Sequence, residues 1–422
     1  MLLKLKDIGR ISNADIKLDG ITVIAGENNT GKSTVGKALF CIFNSFFNIK
    51  KQINRERKDA IGRSFESSYH NVANTFESKI KADKIVESIF EKKEKYLDNN
   101  IKLRQDIKEF YKIQDEMKFN EDFVDATSDK IIQILNISDN EVFKNHLQKK
   151  LKAEYNGQIN NIYSPENSGE IYLKIKNSDV KVMVKNDVVD TITNNFSLKT
   201  EVIYIDDPFA LDDLTYAGLI WGSSYVAHRE HLKSKLSIKN NELNVKDSFE
   251  EIIAAKKLDK IFEKINTVCN GEMVKTGVTY GYKKMNTDEV LDIKNISTGL
   301  KTFVILKTLL LNGSLEDNGT IVLDEPEIHL HPEWQLLFAE LIILIQKEFN
   351  MHILLNTHSP YFLNAIEVYA AKYGIKDKCK YYLAENVNTK SIISDVTNDI
   401  ERIYEKLARP FQNLENERYS ND

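Results

Sequence analysis

Residues 26–33 read Gly-Glu-Asn-Asn-Thr-Gly-Lys-Ser, and this stretch restricts the fold more tightly than any other. The pattern is a glycine, four residues, then Gly-Lys and a hydroxyl residue. It cradles phosphate only where a buried strand runs into it and a helix leaves it. Both flanks fit. Ile21-Thr-Val-Ile-Ala25 is a buried-strand run after a turn at Gly20, and Val35, Leu39, Phe40, Phe43 and Phe46 then return at helical spacing. Glycines let such a loop wrap closely, so that backbone N–H groups face phosphate oxygens. In this pattern Lys32 reaches the β- and γ-phosphates and the Ser33 hydroxyl ligates Mg2+. Gly26, Asn28, Asn29, Gly31, Lys32, Ser33 and Thr34 are therefore the expected contacts, with ATP and Mg2+ as the expected ligands.

The last third of the chain alternates strands and helices. A helix follows Gly299, Thr320-Ile-Val-Leu323 and His352-Ile-Leu-Leu355 are buried-strand runs, and helices are predicted from about Pro332 to Phe349 and over roughly 360–373. All-apolar strands alternating with helices predict an α/β core with a mostly parallel sheet. The chain also starts with short strands, Leu2 to Lys6 and Ala14 to Leu18. From about 50 to 155 charged and amide residues dominate, and Ile80, Ile85, Ile89, Tyr96, Ile101, Ile107 and Tyr111 recur as in amphipathic helices. From about 158 to 205 the period switches to two, with strand runs at Ile171 to Ile175, Val180 to Val184 and Val202 to Ile205. Helices are expected over 208–265 and a short hairpin over 271–294. A chain of 422 residues suits one domain with a large insertion. The expected organisation is a split nucleotide-binding head, 1–50 with 160–422, and an inserted, mainly helical arm or dimerisation region at 51–159.

A net charge of −5 gives no global attraction to DNA or to anionic membranes. Nucleic-acid contact would need a local basic patch, and Arg229 to Lys239 is the candidate. Cys41, Cys269 and Cys379 lie far apart and form neither a metal cluster nor an even disulfide set, which suits a reducing cytoplasm. The N-terminus does not read as a signal peptide, and no apolar run approaches the ~18 residues of a membrane span, so a cytoplasmic protein is expected.

Three further segments carry chemistry. Thr320-Ile-Val-Leu-Asp-Glu-Pro326 is a strand running into two carboxylates. Asp324 is the candidate on the metal side, and Glu325 is placed to polarise the attacking water as general base. Leu354-Leu-Asn-Thr-His-Ser-Pro360 ends a second buried strand in a histidine, so His358 is the candidate contact to the γ-phosphate. Asn295-Ile-Ser-Thr-Gly-Leu-Lys301 opens a helix. Ser297 and Gly299 there form either an anion site or an ordinary N-cap. His228 and His231, three apart on a helix, have the spacing of metal ligands but no visible third ligand, and a surface or interface helix explains them better. Lys233, Lys235 and Lys239 beside them read as phosphate contacts or as a solvated face.

Taken in order, these segments resemble the ABC-type ATPase superfamily, and its OLD-like and RecF–SMC branch in particular. Ile296-Ser-Thr-Gly299 looks like the signature motif, Asp324-Glu-Pro-Glu-Ile-His-Leu-His-Pro-Glu-Trp334 like the Walker B and D-loop run of the OLD-like branch, and Asn356-Thr-His-Ser-Pro360 like its switch histidine. The resemblance implies ATP hydrolysis with Glu325, His358 and Lys32 as catalytic residues. It also implies two ATPs sandwiched in a head-to-tail homodimer or higher even oligomer, with Ser297 and Gly299 acting in trans. The family's Q-loop glutamine is placed at Gln158, where helices give way to strands. The departures are informative. After His358 about sixty residues remain, with no Asp-x-Asp, so no TOPRIM nuclease is expected; a zinc-hook Cys-x-x-Cys is also absent. The chain then resembles stand-alone antiphage-defence ATPases of the Septu, retron-associated or PARIS type. That implies a regulatory ATPase gating a separate effector, an HNH or TOPRIM nuclease or a toxin. The alternative is a RecF/SbcC-like repair ATPase that binds DNA.

Overall fold

The computed structural model describes residues 1–69, 76–114, 121–194, 198–214, 227–237, 248–277 and 279–419. The chain divides into two compact units, Met1–Phe47 with Leu147–Asp422, and Asn48–His146.

The first unit is built on one mixed sheet of eleven strands. In chain order these are β1 (Leu2–Ile8), β2 (Ile11–Lys17), β3 (Ile21–Gly26), β4 (Ser168–Ile175), β5 (Ser178–Lys185), β6 (Val188–Asn194), β7 (Val202–Ile205), then, after a separate small sheet of β8 (Gly271–Thr276), β9 (Thr279–Lys284) and β10 (Val290–Asp292), β11 (Thr320–Asp324), β12 (His352–Thr357), β13 (Cys379–Val387) and β14 (Lys390–Asp395). The large sheet runs β6-β5-β4-β1-β2-β14-β13-β3-β12-β11-β7. Five strands, β13, β3, β12, β11 and β7, are mutually parallel. Strands β6, β5, β4, β1 and β2 pair antiparallel. The two halves differ in burial as their sequences require. β3, β7 and β11 are buried at every position. β1 and β2 alternate between buried and more exposed positions, as a one-sided antiparallel strand does.

Helices α1 (Lys32–Phe46), α8 (His228–Leu236), α9 (Ser248–Ile265), α10 (Thr298–Leu311), α11 (Pro332–Phe349), α12 (Pro360–Lys372) and α13 (Glu401–Tyr419) belong to this unit. A core centred on Phe303, Phe338, Ile342, Leu355, Phe362 and Leu383 joins the parallel strands to helices α8 to α13. The result is the expected α/β class with a mixed sheet. Two features went unforeseen. β13 and β14 extend the sheet beyond the last strand read from sequence, and β13 supplies β3 with a neighbour. The region 271–294 forms a three-stranded sheet, not a single hairpin.

The second unit contains α2 (Ile49–Tyr69), α3 (Phe76–Glu91), α4 (Lys93–Asp98), α5 (Asn100–Gln114) and α6 (Glu121–Asn136), and the start of α7 (Asp139–Glu154). Its own core gathers Ile61, Phe65, Ile89, Tyr96, Leu103, Ile107 and Ile131. Helical periodicity produces one apolar stripe per helix, and the stripes pack together. The Tyr96 hydroxyl, buried with them, donates to Asp106 Oδ2 at 2.6 Å. This unit is narrower than the 51–159 span, because the end of α7 is as charged in sequence as the arm yet packs in the first unit: Lys150 Nζ donates to Asn44 O at 2.9 Å. Among the described residues, no helix is long and apolar enough to cross a membrane.

Candidate functional site

The loop between β3 and α1 has the backbone its glycines predict. Gly31, at the N-cap of α1, has φ 85°, and a Cβ there would lie 2.9 Å from Ile11 Cγ1. Both facts exclude a side chain. Gly26 is equally confined, since a Cβ would meet Ala384 O of β13 at 2.3 Å. Thr30 Oγ1 donates to Glu27 O at 2.8 Å and closes the loop. α1 has no side-chain cap; the Thr34 N–H donates to Gly31 O at 3.1 Å, which leaves the Lys32 and Ser33 N–H groups for an anion. Lys32 is only 4% exposed. Its ammonium donates to Gly26 O at 3.0 Å and to Glu27 O at 2.9 Å, and lies 3.3 Å from Glu325 Oε1. Phosphate oxygens can take the place of such acceptors.

β11 ends at Asp324, whose carboxylate is held on both sides. Tyr204 of β7 donates its hydroxyl to Oδ2 at 2.6 Å, and Asn356 of β12 donates Nδ2 to Oδ1 at 2.8 Å. Glu325 follows with φ 52°, a left-handed conformation that a non-glycine residue adopts at a cost. Its N–H donates to Asn356 O at 2.9 Å, which holds the turn. The turn carries the Glu325 carboxylate to Lys32 and to His358 Nδ1, at 3.3 and 3.4 Å. His358 holds the Glu325 carboxyl below the usual range against the opposing effect of burial, with Lys32 assisting. Glu325 in turn raises His358. Glu327, 2% exposed, accepts from Thr357 Oγ1 at 2.5 Å and from the His358 N–H at 3.3 Å, and burial pushes its carboxyl up.

Lys32, Glu325 and His358 are thus together, and Asp324 is linked to the start of α1 through Tyr204, whose hydroxyl lies 3.5 Å from Ser33 O. The Ser33 hydroxyl and the Asp324 carboxylate are hard oxygen donors of the kind Mg2+ takes, and each Asp324 oxygen keeps a lone pair beyond its one protein donor. Ser297 and Gly299 stand elsewhere. Ser297 Oγ caps α10, accepting from the Leu300 N–H at 3.4 Å. With Thr298, His329, His331 and Trp334 they line an open hollow. Gly299 is required there, since a Cβ would lie 2.9 Å from His329 O. Gln158 is exposed in a turn in which Asn156 and Gly157 have positive φ. Tyr155, three residues earlier, is the one that reaches α1, donating its hydroxyl to Thr34 O at 2.9 Å.

The surface reading of His228 and His231 is overturned. His228 is 8% exposed, with Nδ1 2.7 Å from Glu154 Oε2 and Nε2 3.0 Å from Asp206 Oδ2. It stacks on Tyr204 with ring centroids 4.4 Å apart. His231 lies 3.5 Å from Glu201 and edge-on to Phe40. Among the described residues, no group of His, Cys, Asp and Glu could hold a metal ion of its own. The basic run is matched by nearby acids: Arg229 pairs with Asp206 and Asp207, Lys233 with Glu230 and Lys235 with Glu201. Lys239 lies outside the described residues. Tyr204 and Glu327 were missed from sequence, because a tyrosine in an apolar strand and a second glutamate after Asp-Glu-Pro have no distinguishing spacing.

A family profile described as an AAA ATPase domain matches residues 2–363. The chain is similar to the Retron Vc95 probable ATPase of Vibrio cholerae serotype O1 biovar El Tor, 27% identical over 375 residues, covering 82% of this chain and 67% of that protein. It is also similar to the Retron Ec83 probable ATPase of Escherichia coli, 27% identical over 141 residues, covering 29% of this chain and 26% of that protein. A crystal structure of the SmcHead bound to the C-winged helix domain of ScpA aligns over 95% of this chain and 98% of its own at 11% identity and TM-score 0.46, a likeness too distant to bear on the site. The profile match takes in the phosphate loop, the Asp324-Glu325 turn and His358, and by its extent the chain belongs to the AAA ATPase domain family and is an ATPase.

Proposed function

We propose that this ATPase is a cytoplasmic regulatory subunit of a bacterial antiphage defence system, one that gates a separate nuclease or toxin through an ATP-dependent homodimer. The gathering of Lys32, Glu325 and His358 around one point carries the catalytic half of the reading. Lys32 exchanges its carbonyl partners for phosphate oxygens when ATP enters. Ser33 and Asp324 would hold Mg2+, which would supply the charge that offsets the phosphates. Glu325, kept ionised by His358 and Lys32, accepts a proton from the attacking water. His358, beside Glu325, faces the position of the γ-phosphate and registers its loss. Glu325→Gln should lower turnover by about 10²–10⁴-fold with ATP binding retained. Normal turnover by that variant would remove Glu325 as the base. Lys32→Ala should abolish nucleotide affinity.

The open hollow at Ser297 and Gly299 supports the dimer. It is lined by none of the phosphate-loop residues, so in this reading it meets the ATP of a second copy. Similarity to two retron probable ATPases supports the defence role. Phage plating on cells that carry the neighbouring reading frames tests it. Protection should disappear with Lys32→Ala, and unchanged protection would end the proposal. The DNA-repair alternative rested on the basic run at 229–239, whose described cations are paired with acids. Salt-dependent DNA binding by the purified chain alone would restore it.

A further inference from the structure

Tyr204 is fully buried in β7, the strand beside β11. Strand register places Tyr204 opposite Val322 and Asn356 opposite Asp324, so the two neighbours of β11 each lend one donor to the Asp324 carboxylate. A carboxylate held by a separate donor on each oxygen cannot rotate freely. The tyrosine ring is itself fixed. Gly36 of α1 leaves room for it, and a Cβ at that position would come within 3.2 Å of its Cζ and its hydroxyl. His228 stacks on one face, inclined by 25°, and Phe40 meets the ring edge-on at 6.4 Å. His228 is clamped between Glu154 and Asp206.

Partners one step removed from a metal hold its ligands in orientation, and their loss typically costs about 10–100-fold in metal affinity or activity. We propose that Tyr204 is a positioning residue for the divalent cation, fixing the Asp324 carboxylate at the angle at which it and Ser33 hold the metal together. This rests on the assignment of Asp324 to the metal side under Proposed function.

The test reads nucleotide affinity in the full chain. A non-hydrolysable ATP analogue is titrated in EDTA and again in saturating Mg2+, and the ratio of the two dissociation constants measures how far the metal tightens binding. Tyr204→Phe keeps the ring and its stacking and removes only the hydroxyl. It should leave the EDTA affinity within about twofold while reducing the Mg2+ tightening about 10-fold. In an Asp324→Asn background the same change should have no further effect. If Tyr204→Phe leaves the tightening intact while Asp324→Asn removes it, the Tyr204 proposal fails and the metal reading of Asp324 stands. If Asp324→Asn leaves it intact, both fail. Equal losses in EDTA and in Mg2+ would mark Tyr204 as merely structural and overturn the proposal.

Discussion

His228 shows what a single residue can hide. Burial alone would lower its pKa, but Asp206 and Glu154 outweigh that and raise it to about 9. The unfolded chain would have the ordinary value of about 6.5. The stability His228 contributes is therefore fully present below about pH 6.5 and is lost as pH rises through about 9, an effect of at most about 3 kcal/mol. The partner acid behaves in the opposite sense. Asp206, lowered to about 2 by His228 and Arg229 against burial, contributes stability that is present above about pH 4 and lost as pH falls through about 2. These are two views of one cluster, so the figures do not add. Thermal melts from pH 7 to 9.5 should show a falling Tm that His228→Gln flattens. An identical slope in both proteins would refute the assignment. In sequence, His228 and His231 offered only their spacing of three, because the partners Glu154 and Asp206 arrive from 74 and 22 residues away. Lys32, Glu325 and His358 could be singled out for the opposite reason: Glu325 and His358 directly follow buried strands, Lys32 ends the loop that leaves one, and each lies in a pattern whose chemistry fixes its residue types.

At the scale of elements, α1 packs against β7 and β11 with little room for side-chain volume at Gly36. In an isolated helix Gly36 would be a liability of about 1 kcal/mol relative to alanine. Here a Cβ would stand 2.8 Å from Val322 Cγ1, so the glycine is what lets α1 lie against β11. Gly36→Val should destabilise the protein by about 1–3 kcal/mol in denaturant titration, the usual cost of overpacking. No loss would mean that α1 can shift without consequence. The sheet itself was half legible. β3, β11 and β12 are nearly uniform apolar runs and announce themselves. β13 reads Cys-Lys-Tyr-Tyr-Leu-Ala-Glu-Asn-Val, with polar residues at both ends, and it is recognisable as a strand only once β3 lies beside it. The small sheet of β8 to β10 was read one strand short, because β10 is three exposed residues whose place is set by pairing with β9.

At the scale of the whole molecule, the proposed ATP sandwich predicts association that follows nucleotide state. Glu325→Gln with ATP and Mg2+ should double its mass in light scattering, and Lys32→Ala should not. Gly299→Arg, which fills the hollow beside Trp334, should block association without lowering the affinity of each copy for ATP. Association by the Lys32→Ala variant would separate dimerisation from nucleotide and undo the sandwich.

The strand that carries the phosphate loop has a further consequence, in the time domain of synthesis. β3 is complete by residue 26, but its two neighbours are residues 352–357 and 379–387. A ribosome adding about 5–20 residues per second needs roughly 15–70 s to reach them. Until then the strand has both edges open and the loop has no wall at Ala384. A chain stalled short of β12 should therefore hold no ATP, although every residue of the phosphate loop has long since been made. The ability to bind nucleotide then certifies that translation has passed β13.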